Sequence, residues 1–135
     1  MELETIFQLF LATFLGALIG LEREYKRKEA GLRTFSLVTL GASLFSIISF
    51  QLGIFNSIII SAVATGIGFL GAGVIFRQPA GVVGLTTAAG LWLSAAIGIA
   101  IGARLYFLAF LATFFALLIL AGFSILEEKI FKTKE

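Results

Sequence analysis

Long uncharged, apolar runs dominate the chain, and their lengths predict helices that cross a bilayer. A span needs roughly 20 apolar residues at about 1.5 Å rise to cover about 30 Å of hydrocarbon. Residues 5–21 form the first run and end at the charged stretch Glu22 to Glu29. Residues 34–76 are too many for one helix, and Gln51-Leu52-Gly53-Ile54-Phe55-Asn56 supplies turn residues near the middle. Splitting there gives spans at about 34–50 and 57–76, with Asn56 as the N-cap of the second. Between Gln78 and Leu126 only Arg104 is charged. One helix of that length would run more than twice the hydrocarbon thickness. A turn at Gly102-Ala103-Arg104 divides it into spans at about 85–103 and 105–126. The expected fold class is an all-α membrane protein, a single domain over 1–135 built as a bundle of about five transmembrane helices. A basic loop at 22–33 and a tail at 127–135 flank the spans, and no soluble C-terminal domain is expected after them.

Composition agrees and excludes much else. The chain is 59% hydrophobic and 13% charged, with a mean hydropathy of +1.07, against about 25% charged in soluble domains. A domain this small cannot bury that much apolar surface, so the excess must face lipid. The net charge of +2 is too slight to argue for nucleic acid as a partner. With no cysteine and no histidine there is no disulfide framework, no thiolate or imidazole metal site and no Ser-His-Asp or Cys-His nucleophile. The Lys and Arg residues set orientation. Arg23, Lys26, Arg27, Lys28, Arg33, Arg77, Lys129, Lys132 and Lys134 fall on one side of a five-span arrangement and Arg104 alone on the other. This predicts an outside N-terminus and a cytoplasmic C-terminus in a multi-pass membrane protein. The first run lacks preceding basic residues and is expected to be retained rather than cleaved as a signal.

Apolar side chains gain little by meeting each other in lipid, so helix contacts depend on close approach and small residues. Gly16 and Gly20 make a GxxxG pair on the first span, and Gly90, Ser94, Gly98 and Gly102 recur every four residues along the fourth. Gly66, Gly68, Gly71 and Gly73 lie on more than one face of the third, which predicts a central helix touched from several sides. Packing is the leading reading of these glycines, with a hinge or a backbone-lined ion path as the alternative. Trp92, about eight residues into its span, is expected to be buried against neighbouring helices, giving its indole N–H to Thr65 or a freed carbonyl. Tyr25 and Tyr106 fall at interfaces and read as anchors. Residues 77–84, with Pro79, Gly81 and Gly84, break the helical pattern, and an ordinary loop is preferred over a re-entrant segment.

No acid or base lies in the middle of any predicted span, so the usual mark of an intramembrane ion relay is missing. The nearest acids are Glu22 and Glu24, which face Lys26 and Lys28 at i, i+4 spacing. One reading is a self-paired, solvated helix end. The other turns Glu22 inward to pair with Arg33 or Arg77 in a polar cytoplasmic cluster of Glu22, Arg23, Glu24, Arg33, Thr34, Arg77, Thr86 and Thr87. No cofactor and no catalytic group is expected. Glu22 and Glu24 are the weak metal candidates, able with those threonines to hold at most a loosely bound Mg2+, which favours oxygen ligands.

Four stretches taken together resemble the MgtC/SapB family of bacterial inner-membrane proteins: Gly16-Ala-Leu-Ile-Gly-Leu-Glu-Arg-Glu24, Ala30-Gly-Leu-Arg-Thr34, Thr65-Gly-Ile-Gly-Phe-Leu-Gly-Ala-Gly-Val-Ile75 and Gly84-Leu-Thr-Thr-Ala-Ala-Gly-Leu-Trp92. Their order and spacing cover roughly residues 14–102. The matching positions are Glu22, Arg23, Glu24, Arg33, Thr34, Gly66, Gly71, Gly84, Thr87 and Trp92. The resemblance implies a polytopic protein linked to growth under magnesium limitation and, in pathogens, to survival inside phagocytes. It also implies modulation of other membrane machines, including the F-type ATP synthase. Some relatives carry Asn where Thr86 stands and Cys where Leu93 stands, and many continue into a soluble domain.

Two functions compete. The first is a non-enzymatic membrane regulator that binds another membrane protein through its small-residue faces. The second is a small homo-oligomeric magnesium or other cation carrier with Glu22, Glu24 and the Gly-rich third helix along its path. A homo-oligomer, in the simplest case a dimer, is expected in either case.

Overall fold

The computed structural model describes residues 1–54 and 57–132. Asn56, the expected N-cap, and Lys134 lie outside the described residues. Five helical segments follow one another: α1 (Glu2–Tyr25), α2 (Leu32–Gln51), α3 (Ser57–Gly73), α4 (Leu85–Gly102) and a last segment made of α5 (Tyr106–Leu117), a π-helical stretch (Leu118–Phe123) and α6 (Ser124–Phe131). Four are long and apolar enough to cross a membrane: Glu2–Tyr25, Leu32–Gln51, Leu85–Gly102 and Tyr106–Phe131. α3 is apolar but has 17 residues, or about 25 Å of helix. This is an all-α membrane bundle, as the run lengths predict.

Helix ends differ from the expected boundaries where charge was taken to mark them. α1 carries its helix through Glu22, Arg23 and Glu24, so the basic loop contracts to residues 26–31, and helix also continues through Glu127 to Phe131 where a tail was expected. Charged residues are good helix formers once they leave hydrocarbon, so loss of hydropathy does not end a helix. The actual stops are backbone motifs. Lys28 N donates to Arg23 O and Arg27 N to Glu24 O, and the same paired pattern closes α2 (Ile54 to Ser49, Gly53 to Phe50) and α4 (Leu105 to Ala100, Arg104 to Ile101). The left-handed positions are Arg27, Gly53 and Arg104.

Residues 76–83 form neither an open loop nor a re-entrant helix. They make a two-stranded antiparallel hairpin, β1 (Phe76–Gln78) with β2 (Gly81–Val83), exposed on both strands. The two-residue Pro79-Ala80 turn sets the reversal. Gly84, at φ 92°, ends the hairpin and starts α4, and a Cβ there would collide with the Val74 carbonyl.

α4 is the centre of the bundle and touches α1, α2, α3 and α5. Its small-residue face is consumed by α2: a Cβ on Gly98 would strike the Thr39 carbonyl and Ala42, one on Gly102 would strike Ser46, and Gly90 seats the Phe35 ring. α1 packs on α2 in the same way, with Gly16 against Thr39 and the Phe35 carbonyl and Gly20 against Leu32 and Gly31. Phe35, Leu15, Ile19, Leu91, Ile97 and Ile101 fill the space between.

Two packing expectations are corrected. α3 is peripheral, not central: only Gly71 is buried, against Ala88, and Gly66, Gly68 and Gly73 have open space where a Cβ would stand. Trp92 is 59% exposed and does not pack inside the bundle. The buried face of α4 runs through Thr87, Leu91, Ser94, Gly98 and Ile101, and Trp92, one residue past Leu91, is rotated about 100° away from it.

Candidate functional site

The end of the bundle that carries the basic loop gathers most of the predicted polar cluster; the expected Glu22–Lys26 contact is made, and the other pairings differ. Glu22 turns inward but takes neither Arg33 nor Arg77. Arg23, 3% exposed, clasps both its oxygens, Nε on Oε2 at 2.6 Å and Nη2 on Oε1 at 3.1 Å, and Lys26 Nζ shares Oε1 at 2.9 Å. The part-buried carboxylate thus has two cationic partners, where a lone buried charge would be costly. Lys26 has a second role: its ammonium donates to the Leu120 carbonyl at 3.0 Å. Leu120 lies in the π-helical stretch, where wider turns free carbonyls from the α ladder. One lysine thereby ties α1 to the last helix.

Glu24 does not pair with Lys28 in this arrangement; its Oε2 accepts the Leu32 amide at 3.0 Å and so fixes the start of α2. Glu22 and Glu24 therefore have separate protein partners, and among the described residues no group of three or more His, Cys, Asp or Glu side chains is placed to hold a metal ion. Arg33, Thr34 and Arg77 are exposed and stand outside the Glu22 cluster.

Glu29, which the sequence did not single out, accepts a hydrogen bond from Thr87 Oγ1 at 2.7 Å. Thr87 is in the first turn of α4, where a carboxylate also meets the positive end of the helix dipole. The Thr87 hydroxyl, followed by a backbone donor, holds the Glu29 carboxyl below the usual glutamate range. Beside this pair a cavity of about 270 Å³ is lined by Arg23, Lys28, Thr86 and the hairpin residues Val82 and Val83.

The opposite end is polar too. Arg104 pairs with Glu4 at 2.9 Å and lies 4.9 Å from the Phe50 ring centroid. Tyr106 donates to Glu4 at 3.3 Å and meets Phe7 edge-on, so it ties α5 to α1 rather than serving only as an interface anchor. Gln8, 4% exposed, donates to the carbonyls of Ile101 and Gly102 at 2.9 and 3.2 Å and closes the end of α4. Sequence signals for these were weak: Gln8 is the one amide inside an otherwise apolar first run, and Glu29 lies five residues before the nearest span boundary expected from hydropathy.

A bundle of apolar helices with charged side chains confined to its two ends defines a multi-pass membrane protein. The family model described as the MgtC family matches residues 9–129, and the chain belongs to that family. It is 41% identical to protein SrpB of Synechococcus elongatus over 90% of this chain and 76% of that protein. It is 41% identical to YhiD of Escherichia coli K12, whose name carries a provisional assignment as a magnesium transporter, over 91% of this chain and 62% of YhiD. It is 49% identical to protein MgtC of Salmonella typhimurium over 72% of this chain and 42% of that protein. The chain thus spans between about two fifths and three quarters of the length of these relatives. No solved structure matches it.

Proposed function

We propose that this chain is a non-enzymatic inner-membrane protein that acts in adaptation to low magnesium by binding and modulating other membrane proteins, the F-type ATP synthase among them. One observation carries the reading. Among the described residues every Glu, Lys and Arg lies at a helix end or in a connection, and the middle of the bundle is neutral. A relay for a divalent cation needs fixed charge or dense oxygen ligation at depth, and the interior offers neither. The relatives' names support the magnesium link, and the basic loop supports a cytoplasmic C-terminus with the N-terminus outside.

The helix this bundle offers a partner is α3. The small residues of α1 and α4 are occupied by α2, while Gly66, Gly68 and Gly73 stand open. The same helix serves a homodimer in this reading.

Cells that need the protein for growth at low magnesium are the direct test. Gly66→Leu with Gly68→Leu is expected to abolish rescue at unchanged membrane abundance; full rescue would remove α3 from the function. The second reading, a small homo-oligomeric magnesium or other cation carrier, is favoured by the name of YhiD. Magnesium uptake into proteoliposomes that disappears in Glu22→Gln would establish the carrier and overturn the regulator.

A further inference from the structure

α2 and α3 leave between them a cleft of about 730 Å³, walled from Thr34 to Phe45 on α2 and from Ile59 to Leu70 on α3. Glycines widen it: Gly41 and Gly66 line opposite walls, and a Cβ added to either would have no atom within 4 Å. The cleft has one polar end. Thr34, in the first turn of α2, is the single polar side chain of the lining among the described residues, and everything deeper is apolar. Each wall extends for about 17 Å of helix, close to half of a hydrocarbon thickness of roughly 30 Å. The cleft therefore starts at the end of the bundle that carries the basic loop and runs through about one leaflet.

In a bilayer such a space is filled. Water finds no polar partners beyond the mouth, and an empty cleft forfeits the dispersion contacts of its walls. A helix is too wide. Spread over about 17 Å, the volume gives a mean section of about 40 Å², half of the roughly 80 Å² that a helix 10 Å across occupies. An extended hydrocarbon chain is narrower and matches the length. The mouth adds a cation. Arg33 precedes Thr34 and lies one turn from Leu37 of the lining, on the same side of α2. It is exposed and has no acidic partner among the described residues, whereas Arg23, Lys26 and Arg104 each have one. The Thr34 hydroxyl is free among the described residues as well, while that of Ser36, two residues on, donates to the Leu32 carbonyl.

We propose that the α2–α3 cleft is a binding site for one anionic glycerophospholipid of the leaflet at the basic-loop end. An acyl chain lies between Gly41 and Gly66, and the phosphate is held by the Arg33 guanidinium and the Thr34 hydroxyl. Apolar depth and a cationic, hydrogen-bonding mouth match the two parts of such a molecule. Gly68 stands about 200° round α3 from Gly66 and so faces away from the cleft, which leaves that side of the helix to a protein partner.

Photolabelling of the full chain in phosphatidylcholine nanodiscs tests the site, with a minority of phosphatidylglycerol carrying a mid-chain diazirine as the probe. Adducts mapped by mass spectrometry are expected to concentrate on residues 37–45 and 59–70. Gly41→Phe fills the cleft from a position whose Cβ meets nothing and should remove these adducts, while Ala96→Phe, exposed on α4, should leave them. Arg33→Gln should lower the ratio of phosphatidylglycerol adducts to those of a phosphatidylcholine with the same diazirine by about fivefold, the effect of one cation near an anionic headgroup. Adducts spread evenly over the lipid-facing helices overturn the proposal, as do adducts that survive Gly41→Phe or a ratio unmoved by Arg33→Gln. Absence of adducts from the cleft overturns it too, and a disulfide between two Gly41→Cys chains would then identify a second copy as the occupant.

Discussion

The α2–α4 seam and the open sides of α3 are written in the same residues and do opposite things. Both carry glycines at close spacing. In the seam, each missing Cβ is matched by a backbone carbonyl or a short side chain of α2, so two helices approach as closely as their backbones allow. On α3 the glycines at 66, 68 and 73 meet nothing. A small-residue pattern therefore marks a surface capable of close approach, and whether the chain itself fills that surface depends on what faces it. Because lipid contacts are as apolar as leucine, only the filled seam contributes to the stability of the isolated bundle.

The strongest way to break this comparison is to add the same side chain to each region. Gly98→Leu drives carbons into the Thr39 carbonyl, where nothing flexible can yield, and should destabilise the bundle by about 3 kcal/mol or more. Gly66→Leu should change it by less than about 0.5 kcal/mol. Reversible unfolding in bicelles measures both, and equal effects would erase the distinction. A second, smaller effect is expected at the basic end. Arg23→Met leaves Glu22 buried with Lys26 alone and should cost about 1–3 kcal/mol in the same assay, whereas Arg33→Met, exposed, should be close to neutral.

The smallest effect is a pH dependence. The folded Glu29 has a depressed pKa because Thr87 donates to its carboxylate. Its stabilisation is complete above the ordinary glutamate value of about 4.5 and is lost as pH falls through the lower folded value. Thermal stability should therefore drop on acidification below about pH 4.5, and Thr87→Val should flatten that drop. An unchanged profile in Thr87→Val would separate Glu29 from α4.

The bundle was legible because hydrocarbon thickness imposes a length, and the runs at 5–21, 34–50, 57–76, 85–103 and 105–126 meet or approach it. The α4 seam was legible because Gly90, Ser94, Gly98 and Gly102 repeat at helical spacing. Direction was not. A helix apolar on every side carries no contrast between core and lipid, so nothing in the residues around Trp92 orients its indole, and the glycines of α3 look the same whether buried or open. The Glu29–Thr87 contact joins residues 58 apart in sequence, and the Lys26–Leu120 contact depends on a π-helical widening for which Leu118–Phe123 has no distinctive composition. The hairpin at 76–83 escaped because strands of three residues are too short to show alternation.

The placement of α3 at the edge of α4 is the claim from which the open face, and with it the proposed partner site, follows. A Cβ built on Gly71 would stand 3.6 Å from that of Ala88, within the range of about 3.5–4.5 Å that a disulfide spans. In a chain without other thiols, Gly71→Cys with Ala88→Cys should oxidise within one molecule in most of the population, while Gly68→Cys with Ala88→Cys should not. Failure of the first pair to close, or its closure only between two molecules, would contradict the account.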